Sequence, residues 1–341
     1  MRDVEFTLGT TIKFLRMLRV PSLHLPEGLP HLEAIRSFGD NLHSYEPEFW
    51  EFQYQIHRYL GRVPDCILVE RYKDILRNMR ALISRDRDVI PIQSFLSSWY
   101  WFRKEHQTRF EFSLRNVSLP VASPFGITFN NKATGAPIRP MHPNAGDVLF
   151  RYDKRIYIEK LIYEGQIRIR PAADFQQMEH DRARHDDECA KKYFLSGAHT
   201  RITTQDGRNI PILGDIEQTV SSPNYYIFCM ACDWDTELFT DFDDADACVI
   251  INDVELFSRQ IEIAAAAQLP GWDFHHNPIE YFDPYERFEN EYIDNTMSKS
   301  FRFAYQREYR FIWFSQNGAA PYGFKFLELG SLGNLAEIRT K

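Results

Sequence analysis

Along Ser298–Phe314 apolar and polar residues alternate with a period close to two. Phe301, Phe303, Tyr305, Tyr309, Phe311 and Trp313 fall on one side, and Arg302, Gln306, Glu308 and Arg310 on the other, with Arg307 the one interruption. A period of two belongs to a strand, so the stretch predicts one long strand with an aromatic face and a chemically equipped face. The N-terminal part has a different rhythm. Phe14, Leu15 and Leu18 stand at helical spacing with Lys13 and Arg16 opposite, which predicts a short helix over 6–19 before Pro21, Pro26 and Pro30 break the pattern. Amphipathic stretches at 47–60, 66–84 and 92–115 predict three more helices.

Residues 117–146 hold eight prolines and glycines and no sustained periodicity, which marks a linker or a lid between a helical domain (1–116) and a second domain (147–341). In that second part 147–152 reads as a strand. Residues 156–164 read as a helix with Ile158, Leu161 and Ile162 inward and Gly165 as its stop. Gln166–Arg170, where Ile167 and Ile169 alternate with arginines, reads as a strand closed by Pro171. Polar residues 174–200 are expected to be helical. Strands are expected at 225–231 and 246–251, and a helix at 253–267.

The 341-residue length allows two domains, and 44% apolar with 15% aromatic residues indicates a folded globular chain of the α+β class. No apolar run reaches the roughly 18–20 residues of a membrane span and no signal-peptide pattern opens the chain, so no membrane association and a cytoplasmic location are expected. Five cysteines scattered over this length argue for reduced thiols. Cys229 and Cys232 form a lone C-x-x-C whose thiols a strand would send to opposite sides, so buried structural cysteines are expected and no metal site. Net charge is −8. Residues 1–144 carry 19 Lys and Arg against 15 Asp and Glu, while 145–341 carry 21 against 33. The mildly basic front part permits an anionic partner.

Three stretches offer chemistry. Trp99–Phe102 runs into Arg103, Lys104 and Arg109, a pattern that either packs in a core or stacks bases and holds phosphates. Asp186-Asp187-Glu188 is either a metal-binding acidic run or the solvated face of a helix. Gln306 and Glu308, two apart on one strand, can hold a sugar hydroxyl and stabilise positive charge on its anomeric carbon, or form a polar face with cross-strand ion pairs.

The order of these parts over 147–314 resembles the ADP-ribosyltransferase superfamily, with Arg151 in its early-strand slot and Gln306-Arg307-Glu308 in its late-strand Q-x-E slot. Leu149-Phe-Arg-Tyr152, Ile162-Tyr-Glu-Gly165 and Gln306-Arg-Glu-Tyr-Arg310 also look like an uncharacterised bacterial family of this layout. The middle strand departs from the pattern: where relatives commonly have Ser-Thr-Ser, this chain has Cys229, Met230 and Ala231. The resemblance implies a C-terminal ADP-ribosyltransferase-like split β-sheet domain preceded by a mainly helical domain, and the mild positive charge of 1–115 with its Trp99–Arg109 stretch assigns target recognition to that helical part. It implies NAD as cofactor, bound by Arg151, Tyr152 and Cys229, with Arg151 on the pyrophosphate. Glu308 would stabilise a cationic ribose, and Gln306 would position a macromolecular acceptor, RNA or DNA or protein. A bacterial toxin or antiviral defence effector, with a neutralising antitoxin as partner, is the implied setting. Two other readings stand beside it: a catalytically silent nucleotide- or nucleic-acid-binding module, and a metal-dependent nuclease using Asp233, Asp235, Glu237 and Glu308.

Overall fold

A computed structural model describes residues 4–7, 11–14, 47–56, 58–83, 98–120, 147–177, 186–195, 197, 200, 202–242, 245–286 and 294–341. The chain opens with β1 (Val4–Thr7) and β2 (Thr11–Phe14), which pair antiparallel with Phe6 opposite Ile12. A hairpin thus replaces the helix expected from residue 6. Val4, Thr7, Thr11 and Ile12 are β-branched and favour extended backbone, and the helical spacing starts only at Phe14. Helices α1 (Pro47–Ile56), α2 (Asp65–Ile83) and α3 (Ser98–Leu114) stand where the amphipathic stretches placed them. Most of the proline- and glycine-rich segment, 121–146, lies outside the described residues.

Next come β3 (Leu149–Asp153), α4 (Arg155–Tyr163), β4 (Gln166–Pro171), a 3-10 helix (Ala172–Gln177) and β5 (Ala190–Leu195). Of the helix expected over 174–200, the described residues show only the end of the 3-10 helix, at 174–177, and a strand from Ala190. Lys191, Tyr193 and Leu195 alternate inward on β5, and His180 and His185 lie outside the described residues. The chain continues through β6 (Ile202–Thr203), β7 (Asn209–Ile210), β8 (Ile216–Ser221), β9 (Tyr226–Ala231), α5 (Leu238–Asp241), β10 (Ala247–Ile251) and α6 (Val254–Gln268). After β11 (Trp272–Pro278), β12 (Glu280–Phe282) and β13 (Ser298–Ser300), a second 3-10 helix (Phe301–Gln306) leads into β14 (Glu308–Ser315), β15 (Lys325–Glu328) and β16 (Ala336–Thr340).

The fold is mixed α+β, and among the described residues its strands pair antiparallel except β12 with β13, which run parallel. In the main sheet β11, β14, β9, β3, β10 and β16 lie side by side in that order, and β4 with β15 branches from β9. The branch creates an opening. One edge of β9 gives Ala231 to Phe150 of β3, and Ile227 and Tyr226 to Arg170 and Pro171 of β4. Residues 228–230 between them pair with neither strand along that edge.

Both faces of the sheet are covered. On one, Ile158, Leu161 and Ile162 of α4 and Phe257, Ile261 and Ala265 of α6 pack on Leu149, Phe228, Val249 and Phe311. On the other, Ile75 and Met79 of α2 and Tyr100 and Trp101 of α3 pack with Phe150, Tyr152, Ile250 and the ring of Phe301. Burial of each such side chain stabilises by about 1.5–3 kcal/mol, and a strand covered on both sides reads as an unbroken apolar run, as Ala247–Ile251 does. The core reading of the Trp99–Arg109 stretch is the one realised for its described side chains: Trp101 stacks on Phe301 at 5.8 Å, and Lys104 is fully buried. Among the described residues no helix is long and apolar enough to cross a membrane.

Gly165, expected to stop α4, has φ +67°, and a Cβ there would fall 1.9 Å from the backbone oxygen of Gly330. Gly165→Ala should therefore destabilise by about 1–3 kcal/mol, because the left-handed backbone and a collision with main chain both oppose the new methyl. Urea unfolding checks this, and an unchanged midpoint would contradict it.

Candidate functional site

The strand expected over 298–314 is broken in the middle. Phe301–Gln306 coils into a 3-10 helix because Asn78 of α2 meets its backbone: the amide donates to the carbonyls of Phe301 (3.1 Å) and Arg302 (3.3 Å), and its oxygen accepts from Tyr305 N (2.7 Å). Arg307 then takes a left-handed conformation at φ 45° and pairs with Asp233. Such a backbone is uncommon for arginine, and it starts β14 at Glu308. Gln306 and Glu308 nevertheless converge. Lys299 Nζ donates to Gln306 Oε1 at 3.2 Å and to Glu308 Oε2 at 2.9 Å.

Glu308 belongs to a buried charge cluster. Its Oε1 accepts from Arg310 Nε at 2.5 Å, and Arg310 Nη2 lies 2.7 Å from Glu188. Lys191 reaches Glu188 at 3.2 Å and Asp186 at 3.0 Å. Glu188, Lys191, Lys299, Glu308 and Arg310 are all buried. Three carboxylates (Asp186, Glu188, Glu308) thus face three buried cations (Lys191, Lys299, Arg310), and a fourth, the half-exposed Arg302, lies 3.7 Å from Asp186 at the rim. The acidic run is accordingly no solvated helix face, since Glu188 points inward to organise the cations. Burial by itself would raise the Glu308 and Glu188 carboxyls, but Arg310 and the lysines outweigh it and hold both below the usual carboxylate range. Glu308 is ionised at neutral pH.

The sign of the pH dependence follows. A carboxyl depressed in the folded protein contributes stability that is present above its unfolded value, about 4.3 for glutamate, and is lost as pH falls through the folded value. Asp74 works the other way, because burial lifts it to about 6, so it takes up a proton in the folded state first and favours folding as pH drops below that value. The melting temperature should therefore rise slightly as pH falls from about 6 to 5 and fall steeply below about pH 4. A melting temperature independent of pH down to pH 3 would contradict the ionised cluster.

The opening at β9 leads into a cavity of about 320 Å³ whose lining includes Arg151, Arg168, Arg170, Glu188, Cys229, Lys299, Gln306 and Glu308. That volume lies near the lower end of the roughly 300–1,000 Å³ typical of small-molecule sites. Arg151 and Glu308 reach it from opposite faces of the sheet. Phe150, opposite Ala231, shares the face of Glu308, so alternation sends Arg151 to the other face, where its guanidinium lies 4.5 Å from the centre of the Phe228 ring. From there Arg151 Nη1 donates to the carbonyl of Cys229 at 2.7 Å, on the unpaired edge of β9, and Nη2 lies 3.2 Å from Asp153.

Of the residues singled out in the sequence, Arg151, Cys229, Gln306 and Glu308 all line this opening, but Arg151 stands on the sheet face opposite Glu308, against the expectation that both share one side. Tyr152 touches the cavity margin, but its ring packs among Trp234, Phe239 and Phe242 and its hydroxyl accepts from Asp235 N at 2.7 Å. Burial pushes the Cys229 thiol well up, so it stays neutral and contributes its backbone carbonyl. Burial likewise pushes Cys232 up to about 12. Arg168, Arg170, Lys299 and Glu188 were missed. The two arginines were visible as an i, i+2 pair on one strand face, whereas nothing local announces Lys299 or Glu188. Among the described residues no three His, Cys, Asp or Glu side chains converge as a metal site, and Asp233 is engaged with Arg307.

The donor set has two ends. Arginines suit a diphosphate, and an ionised carboxylate beside an amide suits a sugar hydroxyl and a developing cation. Compared with protein-family models, curated proteins and solved structures, the chain matches none, so its function is read from this cavity.

Proposed function

We propose that the chain is an NAD-dependent ADP-ribosyltransferase acting on a macromolecular acceptor, with residues 147–341 as a split-sheet domain of that superfamily. One observation carries the reading: Arg151 and the Gln306/Glu308 pair, 155 positions apart at their nearest, line a single cavity where β9 is left unpaired. NAD would supply the ADP-ribosyl group by loss of nicotinamide, which leaves with the electron pair of its bond to the ribose. Arg151, with Arg170, would hold the diphosphate. Glu308 would accept a ribose hydroxyl proton in a hydrogen bond and stabilise the cationic sugar, and Gln306 would orient the acceptor group that attacks. Lys299 and Arg310 keep Glu308 ionised for that task.

A second reading, the catalytically silent binding module, is favoured by one feature: both carboxylate oxygens of Glu308 already have cationic partners. Isothermal titration with NAD, with and without magnesium, followed by nicotinamide release, separates the readings. Heat with NAD alone and released nicotinamide support the enzyme, and heat without release supports the module. Heat only with metal supports the nuclease. For a toxin or defence effector, induced expression should arrest growth and Glu308→Gln should relieve it.

A further inference from the structure

Exposed rings gather beside the cavity, on a surface the sequence did not mark. In the ribbon of β4 and β15, Phe326 stands opposite Arg168, while Ile167, Ile169 and Leu327 are buried on the other side. Arg168 lies between two rings, 5.6 Å from the centre of Tyr157 on α4 and 6.0 Å from that of Phe324, and Phe324 meets Phe326 edge-on at 5.5 Å. Tyr157, Phe324 and Phe326 are 45%, 56% and 47% exposed. Three neighbouring rings held in water mark a binding surface, since a folded chain gains by covering them.

Charge narrows the partner. Arg168 has no carboxylate partner among the described residues, and both it and Arg170 also line the cavity, so the outer face of the ribbon runs into the opening at β9. The acid on this ribbon, Glu328, accepts from Gln166 at 2.9 Å, and both lie at the far end of the ribbon from Arg170. The preceding loop is fixed as well. The Tyr226 hydroxyl accepts from Tyr322 N at 3.1 Å and donates to Tyr322 O at 3.2 Å, leaving the Tyr322 side chain exposed on a pinned backbone.

We propose that this ribbon face binds single-stranded nucleic acid, with bases stacking on Tyr157, Phe324 and Phe326 and a backbone phosphate meeting Arg168, and that it leads the strand to the cavity as acceptor. Open aromatic faces interleaved with arginine suit unpaired bases, which stack without regard to sequence, whereas duplex bases are covered by their neighbours. Only the acceptor role rests on the ADP-ribosyltransferase reading.

The test is fluorescence anisotropy of labelled oligo-dT and oligo-U with the full chain and no NAD. Binding is expected at low salt and should weaken as salt rises. Phe324→Ala with Phe326→Ala should lose about tenfold or more in affinity. The paired leucine variants, which keep apolar bulk without a π face, should lose as much, and the paired tyrosine variants should retain binding. Because the rings are exposed, thermal melting of all these variants should stay at the wild-type value. Absence of oligonucleotide binding at low salt, which leaves the surface to a protein acceptor, overturns the proposal. So does wild-type affinity in the leucine pair, or equally tight binding of a duplex. NAD turnover is read separately: oligonucleotide binding without turnover keeps the platform and sinks the enzyme reading, and turnover without binding does the reverse.

Discussion

Replacing Glu308 by glutamine should lower NAD turnover by roughly a hundredfold or more while NAD affinity changes little. The substitution keeps the shape of the side chain and one acceptor oxygen, so Lys299 or Arg310 retains a partner, and Glu188 still neutralises part of the cluster. What disappears is the negative charge facing the cavity, an interaction made chiefly with the cationic transition state. An exposed ion-pair carboxylate would be worth only about 0–1 kcal/mol, but Glu308 is 5% exposed and its loss deepens the excess of cations around it. The assay therefore has to be run well below the melting temperature of the variant. A folded Glu308→Gln protein with wild-type turnover would refute the catalytic role. Turnover lost only in step with unfolding would assign Glu308 to stability alone.

The largest expected effect on stability lies elsewhere. Asp283 receives both terminal nitrogens of Arg71, at 2.7 and 2.6 Å, and Lys104 Nζ at 2.5 Å, all of them buried where α2 and α3 meet the rest of the chain. Burial alone would raise this carboxyl, and Arg71 and Lys104 hold it well below the usual range; burial also pulls Lys104 well down. Asp283→Ala should destabilise by about 3–5 kcal/mol, because it leaves a guanidinium buried without its carboxylate and takes a carboxylate from buried Lys104, which also pairs with Glu286. Urea unfolding measures it. A loss below about 1 kcal/mol would mean that these ion pairs do little to hold the helices on the sheet. Asp283 does not line the cavity, so protein that remains folded should turn over NAD at the wild-type rate.

Much of the fold could be read where one local period meets one environment. Ile158, Leu161 and Ile162 on α4 and the unbroken apolar run of β10 show this, since each faces the interior the pattern assigns. The pattern failed where a distant residue supplies the backbone with partners. Phe301, Phe303 and Tyr305 alternate as a strand would, yet Asn78, more than 220 positions away, satisfies the coiled backbone instead. The site divides the same way. Gln306, Glu308 and Arg151 carried a signal in their types and order. Glu188 and Lys299 became neighbours of Glu308 only through β5 and β13, so no spacing could announce them. Trp101 and Lys104 drew attention as a base-stacking pair because aromatic and basic residues look alike in core and surface, and burial alone tells them apart.

In the proposed function one cavity, opened by the fork at β9, holds NAD with its diphosphate toward Arg151 and Arg170 and its nicotinamide ribose toward Glu308. A crystal structure of the protein soaked with NAD, or of Glu308→Gln if wild type consumes it, tests this most directly. The expected result is density for the dinucleotide in that cavity, with a ribose hydroxyl within hydrogen-bond distance of the side chain at position 308 and a phosphate oxygen within reach of Arg151. A cavity free of ligand at saturating NAD, or NAD bound away from both residues, would contradict it.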